Sequence, residues 1–172
     1  EVESRAPRDN FFHCLVNAAH QFHIREKNDD RYLIAGYPWF KCRARDTFIS
    51  LPGLTLAIDE QDYFELVMQT ASKALREFMN GKPQSGKIYE IEQPDVPLWA
   101  VWSIQQYAKF AGRDKCSAMY GKLLEEIIHY IIDGKHPNLR LDDKGTVSYE
   151  HQTLPTNREV YCLVVAISFN HK

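Results

Sequence analysis

Between Gln61 and Met79 the apolar residues Tyr63, Phe64, Val67, Met68, Ala71, Leu75 and Phe78 recur at helical spacing and form one broad stripe. A stripe that wide predicts a helix buried along one face and in need of partners for it. The rest of the chain supplies them. Phe11, Phe12, Leu15, Val16, Ala19 and Phe22 repeat the pattern after a cap expected at Asp9, and Leu98, Val101, Trp102 and Ala108 mark a further helix. Another starts near Asp114, aligns Met119, Leu123, Leu124, Ile127 and Ile131, and stops at Gly134. One more enters at Asp46, with Pro52 expected to kink it and Gly53 to accommodate the bend. The expected fold class is all-α, built from antiparallel helical hairpins.

Two connections are rich in turn residues. One is Asn80 to Trp99, with glycine, proline and carboxylates. The other is Asp133 to Asn157, where Asp142, Asp143 and Gly145 form a turn between short alternating runs. The tail EVYCLVVAISF reads equally as a buried strand or a short helix, because periodicity does not arbitrate over so short an apolar run.

With 172 residues the chain is long enough for a single domain over 1–172 with a sizeable core. A net charge of -2 provides no field for nucleic acid or an anionic membrane, so neither is expected as a partner. Cys14, Cys42, Cys116 and Cys162 are scattered, and with no signal peptide or spanning run they point to a cytoplasmic address. Cys14 and Cys116 are expected on apolar helix faces. His20 and His23 come nearest to metal spacing. No carboxylate sits at the right helical offset from them, so they read as a solvated helix face, and neither metal nor cofactor is expected.

The stretch AGYPWFKCRARDTFISLPGL, from Ala35 to Leu54, has a different character. Tyr37 and Trp39 stand beside Arg43, Arg45 and Asp46 at the mouth of an apolar helix. Trp99 and Trp102 lie near Glu90, Glu92 and Asp95 in a similar setting. Flat ring faces suit the C–H face of a sugar, and carboxylates suit its hydroxyls. Paired carboxylates are also the machinery of glycoside hydrolysis. The plainer alternative makes Trp39 and Trp102 core residues. Asp46 has two readings as well. As an N-cap it would accept hydrogen bonds from the first free amides of its helix. As a general acid it would need a raised pKa, which Arg43, Arg45 and a helix N-terminus all oppose. The acid reading requires the arginines to turn toward other carboxylates or substrate hydroxyls, and a second carboxylate to face Asp46.

The elements AGYPWF and RDTFISLPGL together resemble the signature block of glycogen debranching enzymes, in their amylo-alpha-1,6-glucosidase domain. PDVPLW, Pro94 to Trp99, resembles a second block of that family, and LDDKGTVSY a weaker third. The resemblance covers roughly Asn10 to Tyr149. It implies an (α/α)6 toroid and inverting hydrolysis of the alpha-1,6 branch linkages of glycogen or a related alpha-glucan. It implies that Asp46 is the general acid, and that Tyr37, Trp39, Arg45, Asp95 and Trp99 line the pocket for the terminal glucose.

The chain departs from the family pattern at Arg43 and Ala44, where a Trp-Gly pair is usual, and after Tyr149, where the base-bearing segment is not recognisable. Glu150 and Glu159 are the carboxylates there. A toroid of about twelve helices needs roughly twice this length, so a fragment of the catalytic domain is expected. Two further classes stand beside the hydrolase. One is a non-catalytic alpha-glucan-binding helical module without its base, and the other is a helical interaction module whose aromatics are core. Exposure of Trp39 and Trp99 would argue against the last. The sugar-site readings also require the 36–45 and 88–96 loops to share one end of the helices.

Overall fold

The computed structural model describes residues 7–26, 28–36, 39–141, 147–149 and 158–160, the last two segments as backbone. The chain is mostly helical, with five α-helices and two small sheets among the described residues. Helix α1 spans Phe11–His20 and is capped by Asn10, whose side chain accepts from the His13 amide at 2.8 Å. The cap is thus one residue later than expected. Asp9 turns instead to the His13 ring, at 2.6 Å. The apolar residues of α1 do not all face inward: Phe11, Phe12 and Leu15 are exposed, and Asn17 and Ala19 are the buried positions. Cys14 is exposed too, contrary to the apolar-face expectation, whereas Cys116 is buried.

A short antiparallel hairpin follows, β1 His23–Arg25 and β2 Arg31–Leu33, with Ile24 opposite Tyr32. Helix α2 runs Ala44–Leu54, and a single 3-10 turn, Leu56–Ile58, leads into α3, Gln61–Met79. Pro52 lies inside α2, which continues two residues beyond it. Gly53 has open space around it and no left-handed backbone, so it makes no special provision for a bend. The α3 stripe is buried as its spacing predicts, with Phe64, Val67, Met68, Ala71 and Leu75 fully enclosed.

Helices α4, Val96–Ala111, and α5, Arg113–Ile132, are separated by Gly112 alone. Its backbone sits at φ 90°, ψ 155°, a combination open to glycine and strained for any other residue. That one residue reverses the chain and lays α5 against α4. Helix α4 packs on α2 on its other side, so it is the central element. Phe48, Leu51, Phe64, Ile104, Tyr107, Leu123 and Ile127 form the heart of the core. Each such side chain contributes roughly 1.5–3 kcal/mol by leaving water.

Beyond α5, β3 Leu139–Leu141 pairs with β4 Val147–Tyr149, and β4 with β5 Arg158–Val160, in an antiparallel sheet. The alternating runs around Asp142, Asp143 and Gly145 are therefore paired strands, while the turn itself lies outside the described residues. The start of the apolar tail belongs to β5. Its remainder, with Cys162, lies outside the described residues. No helix is long and apolar enough to cross a membrane, among the described residues.

Candidate functional site

The loops before α2 and before α4 meet. The Tyr89 amide donates to the Cys42 carbonyl at 2.8 Å, and the Ala44 amide donates to the Tyr89 carbonyl at 2.9 Å. This pairs Arg43 with Tyr89 in an isolated parallel bridge. Ile88 and Ile91, both buried, anchor the second loop in the core. Lys41 places its ammonium 4.3 Å from the centre of the Tyr89 ring. The earlier loop is closed at its base by the Ala35 amide donating to the Lys41 carbonyl and the Phe40 amide to the Gly36 carbonyl. A Cβ at Gly36 would come within 2.7 Å of the Phe40 ring, so any larger residue there would have to displace that exposed ring.

Asp95 is the hub. It precedes α4 at the N-cap position, but its carboxylate makes no capping bond. Instead Arg45 Nη2 donates to Oδ1 at 2.8 Å, Arg45 Nε lies 2.8 Å from Oδ2, and the Trp99 indole N–H donates to Oδ2 at 3.1 Å. One hydrogen bond, from Nη2, and one close ionic contact, from Nε, tie the guanidinium to the carboxylate. The Asp95 side chain is 18% exposed and that of Arg45 43%, so solvent still screens the pair. Trp99, oriented through its indole N–H, stands edge-on to Trp102 with ring centres 5.8 Å apart.

Arg43 makes a looser, more exposed ionic contact. Its Nε lies 3.4 Å from Glu90 Oε1, and its guanidinium rests over the Phe40 ring. Glu90 itself adopts a left-handed backbone at φ 59°, unfavourable for a residue with a Cβ. Neither arginine is thus spent on Asp46, and each carries its neutralising carboxylate.

Asp46 lies in the first turn of α2, half-buried, and the N-cap position belongs to Arg43, which makes no side-chain cap bond. Asp46 is therefore not the N-cap, although its place in the first turn still favours a negative charge through the helix dipole. Among the described residues, no ion pair engages its carboxylate. Trp39 is 86% exposed, which overturns the core alternative for that residue, whereas Trp99 and Trp102 are half-buried. Tyr37 and Glu150 lie outside the described residues, and of Glu159 only the backbone is described.

Two features escaped the sequence. His20 and His23 do not form a solvated helix face: His20 ends α1, His23 opens β1 and stacks on Tyr63, and both reach Glu60. An open cleft of about 1140 Å3 lies along α3, lined by Asp30, Glu65, Gln69, Arg76 and Tyr120 among others, and it includes none of the residues around Asp95. Its mixed charges and single ring make a poorer sugar platform than Trp99, bonded to Asp95, with Trp102 edge-on beside it. Glu65, in the cleft wall, accepts from Tyr107 at 2.5 Å, and Lys115 lies 3.0 Å away.

The family model for amylo-alpha-1,6-glucosidase matches residues 17–156. The chain belongs to that family, and its domain is related to the glycosidases of glycogen debranching. No curated protein and no solved structure matches it.

Proposed function

We propose that the Arg45–Asp95–Trp99 cluster, with Trp39 and Tyr37, receives the terminal glucose at an alpha-1,6 branch of glycogen or a related alpha-glucan, and that Asp46 is the general acid of an inverting hydrolysis. On this reading the helices belong to an (α/α)6 toroid, with the site at the loop end of α2 and α4. The observation that carries the proposal is the commitment of both nearby arginines to other carboxylates. Arg43 pairs with Glu90 and Arg45 with Asp95, and among the described residues no ion pair engages the Asp46 carboxylate.

The proton chemistry follows. Asp46 delivers its proton to the glycosidic oxygen as the C1–O bond breaks, and the departing sugar leaves as an alcohol. A carboxylate base about 6.5–9.5 Å away takes a proton from the water that attacks C1 from the opposite face, inverting the configuration. Asp95 acts by position. Most of its acceptor capacity goes to Arg45 and Trp99, so it orients a cationic donor and an aromatic face toward the sugar.

Asp46→Asn tests the assignment, with a branched alpha-glucan as substrate and the domain in its full parent protein. The amide preserves shape but has no proton to deliver. Turnover should fall by at least about a hundredfold while glucan binding persists. Retained turnover removes Asp46 from the acid role. Binding without turnover in the unsubstituted protein favours the non-catalytic glucan-binding module.

A further inference from the structure

His20, His23 and Glu60 come from three elements and converge. His20 is the last residue of α1, His23 the first of β1, and Glu60 immediately precedes α3. His20 Nε2 contacts Glu60 Oε1, His23 Nδ1 lies 3.7 Å from Glu60 Oε2, and one ligand atom from each of the three residues lies within 4.8 Å of the others. We propose that these residues form a site for a divalent cation of the zinc type, with two imidazole nitrogens, one carboxylate oxygen and water in the fourth position.

The donor set is the first argument. Imidazole with carboxylate suits Zn2+ and its d-block neighbours. Tetrahedral bonds of about 2.0–2.1 Å place donor atoms about 3.3–3.4 Å apart, so side-chain adjustments of about an ångström complete the geometry. The surroundings of His23 are the second. Its Nε2 pairs with the Leu54 carbonyl at 3.0 Å, and a carbonyl only accepts, so Nε2 carries a proton, and the neutral form of the ring has its lone pair at Nδ1, the nitrogen facing Glu60. A backbone carbonyl on the far nitrogen is the usual means of fixing a ligating histidine's tautomer. The Tyr63 ring, stacked 4.0 Å from that of His23 and nearly parallel, locks its plane.

Glu60 is delivered by a tight turn. Asp59 takes a left-handed backbone at φ 64°, and the Glu60 amide donates to the Thr55 carbonyl at 3.0 Å. Exposure is graded: the His23 side chain is 8% accessible, while those of His20 and Glu60 are accessible enough for a water ligand.

The location assigns the role. Leu54 ends α2, and Asp46 lies in its first turn, about 12 Å away along the axis. A cation here would be a clasp joining α1, β1, the end of α2 and the start of α3, remote from glycoside cleavage. The inference stands independently of the proposed function.

The test is titration of the metal-free chain with zinc chloride, well above the ordinary histidine pKa of about 6.5. One zinc per chain is expected, with a raised thermal midpoint. Cobalt(II) in its place should give the intense visible absorption of four-coordinate geometry. Glu60→Gln and His20→Gln should each weaken binding by at least about tenfold, the lower range seen for loss of outer-shell partners. His13→Gln and Cys14→Ser, at the exposed start of α1, should leave it unchanged. Absence of one-to-one binding overturns the site, as does stoichiometric binding that survives both ligand substitutions. Binding without a rise in thermal midpoint overturns the clasp.

Discussion

Arg45 holds Asp95 with two nitrogens across fifty residues of chain, Nη2 to Oδ1 and Nε to Oδ2, both at 2.8 Å. The pair joins the first turn of α2 to the residue that opens α4, the two helices whose packing centres the fold. It therefore has a structural side that is measurable without any substrate. In a double-mutant cycle of Arg45→Ala and Asp95→Ala, denaturant unfolding should yield a coupling energy of about 1 kcal/mol, the upper range for partly exposed pairs. Arg45→Lys should recover less than half of it, because an ammonium lacks the planar guanidinium that sets both nitrogens against the carboxylate. A coupling near zero would mean that the pair serves only to present Arg45 and Trp99.

Gly112 and Gly53 should respond oppositely to alanine. Gly112, at φ 90° between α4 and α5, admits no Cβ without strain, so Gly112→Ala should destabilise by about 1–3 kcal/mol. Gly53 lies within α2 with nothing within 4 Å of an added Cβ, so Gly53→Ala should stabilise by about 0.4–1 kcal/mol. Thermal or urea unfolding of the two variants checks both signs.

The periodic parts of the fold were legible because their signals are local. The α3 stripe buries the residues that its spacing selects, and Gly134 ends the last helix region as expected. The small sheets were less so. Strands of three residues, such as His23–Arg25, are too short to show alternation. Long-range pairings were not legible at all. Arg45 and Asp95 were each read as sugar-site residues, but nothing local says that they bind each other, or that Glu60 reaches back to His20 and His23. Asp46 shows the same limit on a shorter scale. Whether it or Arg43 opens the helix depends on where the loop carrying Tyr89 docks, and α2 starts two residues before Asp46, at Ala44, whose amide bonds to the Tyr89 carbonyl.

Glu65 should make stability fall in acid. Burial raises its pKa, but hydrogen bonds from Tyr107, Lys115 and Gln61 outweigh this, and the net position lies below the ordinary 4.5. A depressed carboxylate adds stability above its unfolded pKa and loses it as pH falls from there through the folded value. Tyr107 has the opposite sign at the alkaline end. Burial first, and then the bond to Glu65, raise its pKa, so its contribution is complete below about 10 and declines as pH rises beyond. Tyr107→Phe should therefore flatten both limbs of the stability–pH curve, while costing about 1.5–3 kcal/mol near neutrality for a hydrogen bond to a charged group. Urea unfolding across pH, wild type against variant, measures this. Parallel curves would show that the hydroxyl makes no contribution through Glu65.

Trp39 separates the uses of the aromatic residues most cleanly. A ring 86% exposed contributes almost nothing to the core, so Trp39→Ala should change stability by no more than about 0.5 kcal/mol. If it is a sugar platform, the same substitution should lower affinity for a branched alpha-glucan by about tenfold, equivalent to about 1.4 kcal/mol. Trp99 provides the contrast. Half-buried, bonded to Asp95 and packed edge-on against Trp102, it should cost both stability and affinity when truncated. The measurements are unfolding in denaturant and migration in a native gel cast with glycogen. Loss of binding in Trp39→Ala at unchanged stability assigns the exposed ring to the substrate. Unchanged migration removes Trp39 from the site and leaves the Asp95 cluster to hold the sugar alone.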